Sequence, residues 1–239
     1  MTQSKLAFLI GGSDAYEVMT DAFLAAAGGE LAHIALLLQQ GGERLPRILQ
    51  HYSEPWSRRG FSRYQPVFPE PDGRLDLART REILQAATGI FVGGGSTPTY
   101  HRLYASGPVG NLIRERYEAG LPFAGVSAGA MVAMEHCVFE AVETPDHTLQ
   151  VVPGLGLVKD YVIGVHYTEQ MALPELLEAM SKGRTRKGLG IDDAACAVFE
   201  NGRFVGILGH SAYEIEMWDF EQRFYSIGTC RSRYVGSMQ

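Results

Sequence analysis

The sequence predicts a three-layer α/β fold, a mostly parallel central sheet covered by helices on both faces, followed by a β-rich C-terminal meander. Three observations lead there. Short, near-continuous apolar runs alternate with helical patterns along the first part of the chain, glycine-rich turns stand where two of those runs end, and beyond Gly188 the apolar runs succeed one another with no helix between them. Strands buried on both faces read as unbroken apolar runs, because helices cover both sides of a parallel sheet.

Taken in order, "LAFLI" (6–10) is the first strand and leads into an amphipathic stretch from Asp14 to Ala27. "HIALLL" (33–38) precedes the helical pattern "ERLPRILQHY", and "YQPVF" (64–68) precedes "LDLARTREILQAA". "GIFVGGG" (89–95) leads into "TYHRLYASG", and "PFAGV" (122–126) into "SAGAMVAM". Ligands of such sheets bind in the crevice outside the carboxyl ends of the strands, so the glycine-rich turns at 93–95 and 125–129 fall at the functional edge. Later, "CAVFENGRFVGIL" places two strand-like runs around Asn201-Gly202, a strong hairpin signal, and "AYEIEMW" and "RFYSIG" continue in short alternation. No repeat, low-complexity tract or linker divides the chain, so one domain over 1–239 is expected.

Composition narrows the function class. With 239 residues, 46% hydrophobic and 20% charged, the chain has the make-up of a soluble globular protein with a substantial core. A net charge of −6 argues against nucleic acid as a partner, since that binding needs clustered cations. The densest basic run, "SKGRTRKG" (181–188), reads as a solvated helix end. Cys137, Cys196 and Cys230 are an odd number, far apart and without a CxxC pair. They suit a reducing compartment and supply no disulfide framework or zinc site. The first apolar run is too short for a signal sequence or a membrane span. A cytoplasmic protein with no membrane partner, no metal and no cofactor is the expectation.

Gly125-Val126-Ser127-Ala128-Gly129 matches G-x-S-x-G between a strand and a helix, the context that motif requires of a nucleophile elbow. Glycines let strand and helix pass closely, and the strained corner projects the serine hydroxyl into the crevice. A serine needs a base for its proton and donors for the oxyanion. Gly93-Gly94-Gly95 offers a backbone N–H at the same edge, to pair with that of Ala128. For the base, His33 reads as a core residue inside a strand, and His51 and His101 as helical. His136, His147 and His210 fall in loop or edge contexts. His166 stands out because the apolar strand "YVIGVH" ends on it. Its unperturbed pKa near 6.5 suits a base at neutral pH. The orienting carboxylate is Asp192 or Asp193 of "GLGIDDA"; neighbouring strand positions face opposite ways, so only one can serve. Asp146 and Asp160 lack a strand-end context. The order Ser, His, Asp differs from the Ser, Asp, His of α/β-hydrolases.

"FVGGGST", "GVSAGA", "GVH" and "GIDDAACAVF" together resemble, in identity and order, the dipeptidase E and cyanophycinase family of serine peptidases. The resemblance runs from "FLIGG" to about Gly209. It implies a class I glutamine amidotransferase-like (flavodoxin-like) fold with serine in place of the usual cysteine nucleophile. By position it makes Ser127 the nucleophile and His166 the base. It also selects Asp193 over Asp192, where the family usually has glutamate. Gly94 or Gly95 with Ala128 match its oxyanion donors, and Ser96 and Thr97 fall on the substrate-binding side. A small peptide is the implied substrate, cleaved at an amide bond; a small-metabolite amidase or esterase, or a non-catalytic binding module, is the alternative. Relatives acting on aspartyl peptides carry arginines just after the histidine, where this chain reads "HYTEQMALPELL". Arg102, Arg184 or Arg186 would have to supply a guanidinium from elsewhere. An exposed sheet edge or the C-terminal strands are the surfaces through which a homodimer would form.

Overall fold

Five adjacent parallel strands make up most of a seven-stranded sheet in a computed structural model that describes residues 4–230. They are β1 (Leu6–Ile10), β2 (Ile34–Leu37), β3 (Tyr64–Val67), β4 (Gly89–Val92) and β5 (Phe123–Val126). The crossovers carry α1 (Tyr16–Ala26), α2 (Leu45–Ser57), α3 (Leu77–Ala86), α4 (Thr97–Tyr100) and α5 (Gly107–Glu118). A π-helical turn, His101–Ala105, follows α4, and α3 is capped by Asp76, whose side chain accepts from the N–H groups of Ala78 and Arg79. After β5 come α6 (Ala128–Ala133), the antiparallel pair β6 (His136–Phe139) and β7 (Gln150–Pro153), then β8 (Tyr161–Val165), α7 (Leu173–Gly183) and β9 (Lys187–Ile191). The chain ends its described part with β10 (Ala195–Glu200), β11 (Arg203–Gly209), β12 (Ala212–Asp219) and β13 (Phe224–Cys230).

The main sheet runs β11-β10-β1-β5-β4-β2-β3, with β10 antiparallel to both of its neighbours, β1 and β11. Its strands alternate sides residue by residue. Phe8, Leu36 and Phe91 point to one face, where Met19 and Phe23 of α1 and Trp56 of α2 cover them. Leu9, Leu37 and Val92 point to the other, under Leu84 of α3, Ile113 of α5 and Val132 of α6. Each fully buried side chain of this kind contributes about 1.5–3 kcal/mol relative to exposure.

The segment after Gly188 differs from a single meander. β10 and β11 extend the main sheet through a hairpin whose turn residues Asn201 and Gly202 take φ 51° and 78°. β12 and β13 belong to a second, four-stranded sheet in the order β13-β12-β9-β8. The hairpin strands β10 and β12 differ in cover: β10 is buried along nearly its whole length, whereas β12 alternates buried and exposed residues, as a strand with one covered face does. β8 and β9, apolar like the strands of the main sheet, lie in the second sheet. Their Val165, Leu189 and Ile191 continue the apolar cluster that covers α6. No helix among the described residues is long and apolar enough to cross a membrane.

Candidate active site

Register fixes the site's location. Leu9 of β1 and Val92 of β4 both lie opposite Gly125 of β5, so the three strands end abreast. Their continuations, Gly11-Gly12, Gly93–Gly95 and Ser127, therefore share one rim. Ser127 has φ 51° and ψ −115°, a conformation costing a non-glycine residue roughly 1–3 kcal/mol. Its N–H donates to Ile10 O at 2.9 Å, and its own carbonyl accepts from Ala130 and Met131 N–H at 2.9 and 3.0 Å, starting α6. The corner closes this tightly because a Cβ on Gly125 would strike the Gly129 backbone, and one on Gly129 would strike the Val92 carbonyl.

His166 follows β8 with φ 48°, and its Nε2 lies 2.9 Å from Ser127 Oγ. Its Nδ1 is hydrogen-bonded to Asp193 Oδ1. Asp193 sits in the three-residue link, 192–194, by which the chain crosses from β9 in the second sheet to β10 in the main one. That link is tied down by Gly11 N–H to Ala195 O and Ala195 N–H to Asp192 O, both 3.0 Å. It passes so near the end of β1 that a Cβ on Gly12 would run into the Asp193 carboxylate. This close passage lets the shorter aspartate reach the imidazole. Asp192 faces another way: buried, its Oδ1 accepts from Thr168 N–H at 3.1 Å and Thr168 Oγ1–H at 2.9 Å. Burial pushes its carboxyl up, against the lowering effect of the Thr168 bonds.

Of the three backbone groups matched to oxyanion donors, Gly94 N–H is already engaged by the Tyr52 hydroxyl at 2.8 Å. Among the described residues the N–H groups of Gly95 and Ala128 have no hydrogen-bond acceptor. Ala128 opens α6, where first-turn amides lack intrahelical partners and the helix dipole favours negative charge. Ser96 caps α4, its Oγ accepting from Thr99 N–H at 3.4 Å. Thr97 N–H donates to Glu143 Oε1 at 2.7 Å, and Thr97 lines the cleft.

That cleft, of ≈ 450 Å³, is lined by Gly12, Gly95, Ser127, Glu140, His166 and Gln170 among others. A second pocket of ≈ 530 Å³ adjoins it through His51, Tyr52 and Gly94 and brings in Arg44 and Arg47 of the α2 region. The arginines considered from sequence lie elsewhere. Arg102 donates to Gly73 O at 2.9 Å, Arg184 stacks over the Phe220 ring at 5.6 Å, and Arg186 is exposed away from the cleft lining. His51 is helical as expected, yet it faces both pockets, its ring packed edge-on to Tyr16 and Tyr52. His101 Nε2 is 2.8 Å from Pro153 O, and His33 lies just before β2 rather than inside a strand. Glu140 also borders the cleft; burial raises its carboxyl, and the neighbouring Glu175 and Glu143 raise it further. No periodicity or motif marks Glu140, Glu143 or Tyr52. Among the described residues no group of three His, Cys, Asp or Glu side chains is placed to hold a metal ion.

The family model described as "Peptidase family S51" matches residues 73–207. The chain is 28% identical over 198 residues to a cyanophycinase of Trichormus variabilis; the match covers 81% of this chain and 66%, just under two thirds, of that protein. It is 36% identical over 105 residues to a Peptidase E of Shewanella amazonensis, covering 42% of each. Its fold is similar to the crystal structure of a peptidase from an acI-B1 Actinobacterium, with a TM-score of 0.67 and 18% identity over 89% of this chain and 91% of that one.

Proposed function

The chain belongs to peptidase family S51, and on that premise we propose that it is a serine hydrolase that cleaves an amide bond of a small peptide. One observation carries the reading: Ser127 Oγ lies 2.9 Å from His166 Nε2, while the other ring nitrogen is bonded to Asp193. In this reading His166 takes the Ser127 proton as the oxygen attacks the substrate carbonyl. Asp193 fixes the tautomer with Nδ1 protonated and stabilises the imidazolium that forms. The tetrahedral oxyanion rests on the Gly95 and Ala128 N–H groups, preset donors that need no reorganisation. His166 then protonates the leaving amine, and water activated by the same imidazole releases the acyl group from Ser127.

We read the scaffold as a single class I glutamine amidotransferase-like three-layer domain, a reading supported within the described residues by the two apolar clusters on opposite faces of the main sheet. Arg44 and Arg47, in the pocket beside the nucleophile, are the guanidinium groups positioned for a substrate carboxylate in place of those absent after His166. A cytoplasmic location is supported by Cys137 and Cys196, buried thiols that form no disulfide.

The test is mass-spectrometric profiling of a dipeptide library with the wild type and Ser127→Ala. Turnover in the wild type should fall by about 10⁶-fold in the variant. Equal turnover by both would overturn the reading.

A further inference from the structure

The glycine turn after β4 is held in an unusual way. Gly93 N–H donates to Leu37 O at 3.0 Å, an ordinary strand bond. The amides that follow find side chains instead: Gly94 N–H meets Tyr52 Oη at 2.8 Å, Ser96 N–H meets Gln39 Oε1 at 2.9 Å, and Thr97 N–H meets Glu143 Oε1 at 2.7 Å. The three acceptors come from α2, the loop after β2, and the 3₁₀ turn after β6. In this run of five amides Gly95 N–H alone has no acceptor among the described residues, and Gly95 borders the cleft together with Ser127. The turn runs beside the nucleophile, since a Cβ on Gly94 would come 3.4 Å from Ser127 Cβ.

We propose that Tyr52, Gln39 and Glu143 are positioning residues that clamp the 93–97 turn and thereby aim the Gly95 N–H as an oxyanion donor. The proposal rests on the hydrolase reading above and adds to it what holds the donor still. A glycine triplet is free to rotate its peptide planes, and a donor that must reorganise during the reaction loses the advantage of a preset dipole. Each clamp removes one such freedom. Tyr52 is suited to its post because it is buried, 7% exposed, and burial raises its phenol, which keeps the hydroxyl neutral. It both accepts from Gly94 N–H and reaches the Gly94 carbonyl at 3.4 Å, gripping both ends of that residue. Glu143 gives a carboxyl oxygen as acceptor, and its second oxygen, Oε2, is buried with no hydrogen-bond partner among the described residues. Bonds of amides to carboxylates are shorter and stronger than neutral ones, which suits a residue that holds a glycine-rich turn.

A purely structural strut and a positioning clamp differ in what their loss changes. Tyr52→Phe and Glu143→Ala should each lower kcat by about 10–100-fold, part of the loss seen when a whole oxyanion donor is removed, with KM little changed. Glu143→Gln keeps an oxygen acceptor for Thr97 N–H and should restore most of kcat, as Gln39→Glu should relative to Gln39→Leu. Melting temperatures identify any variant that fails to fold. Amide hydrogen exchange at residues 93–97, measured in a Ser127→Ala background, reads the clamp without turnover: Tyr52→Phe should speed exchange at Gly94. If the wild type hydrolyses nothing, the hydrolase reading fails while the exchange still decides the clamp. Unchanged exchange at Gly94 in Tyr52→Phe, a loss confined to KM, or equal kcat in Glu143→Gln and Glu143→Ala would overturn the proposal.

Discussion

Strands β4 and β5 of the seven-stranded sheet are buried over their full length, whereas β12 of the four-stranded sheet buries one face and β13 is exposed until Cys230. The first sheet carries Ser127 and the glycine turn. The second delivers His166 and the strand that leads to Asp193, so the serine and the imidazole meet across a seam between two sheets of different cover. Regular strands set positions within each sheet to fractions of an ångström through their ladders. Across the seam no ladder joins β8 to β5, and alignment depends on shared apolar packing and on the 192–194 link bonded to the end of β1. In the proposed mechanism the chemistry therefore depends on the placement of one sheet against the other, to which the link and the shared apolar packing both contribute.

The comparison can be broken from the second sheet's side. Replacing His166 with alanine removes the group that spans the seam, and kcat on the dipeptide pool should fall by about 10⁶-fold. The ring is partly exposed, so the melting temperature should hardly move. Residual turnover near the wild-type level would mean that the serine works with another base. Asp193→Asn leaves the packing intact but no longer favours the needed tautomer, and kcat should drop by about 10⁴-fold. Here the informative contrast is with Asp192→Asn, which should leave turnover at its wild-type order of magnitude.

Gly12→Ala attacks the link instead of the chemistry. Its Cβ meets the Asp193 carboxylate, and displacement on the scale of an ångström costs about 10²-fold in kcat. A variant that folds normally and turns over at full rate would show that the link tolerates movement.

The smallest effect concerns the pH dependence of stability. Burial raises the Asp192 carboxyl above its ordinary value of 3.8, so the folded chain binds that proton more tightly than the unfolded one. The resulting stability is present below the unfolded pKa and is lost as pH rises through the folded one. Asp192→Asn keeps an oxygen for Thr168 without the charge, so its melting temperature should gain on the wild type as pH rises through that window and then level off. A difference that does not change with pH would remove Asp192 as the source.

Much of the first sheet was legible because its strands are written as apolar runs, and "LAFLI", "HIALLL" and "GIFV" have no other use in a folded chain than burial on both faces. The sharp strand-to-helix turn at Ser127 was equally readable, since glycines two residues before and after it stand where an apolar run gives way to a helical pattern. The second sheet was not. "YVIGV" and "KGLGI" are apolar and glycine-bearing like the main strands, and nothing local encodes which sheet a parallel strand joins. Asp193 could not be separated from Asp192 by the residues alone, because the choice rests on how the link turns over Gly12. Tyr52, Gln39 and Glu143 were invisible for a related reason: each bonds a backbone amide far away in sequence, and such a bond leaves no pattern in its own segment.

The central claim is that Ser127 is activated across the seam by His166. Peptide mapping by mass spectrometry after treatment with a fluorophosphonate reads that activation directly, independent of any substrate. The wild type should carry the adduct on Ser127, and His166→Ala, folded to the same melting temperature, should carry almost none in the same time. An adduct formed on Ser127 at equal rates in both proteins, or none on Ser127 in the wild type, would contradict it.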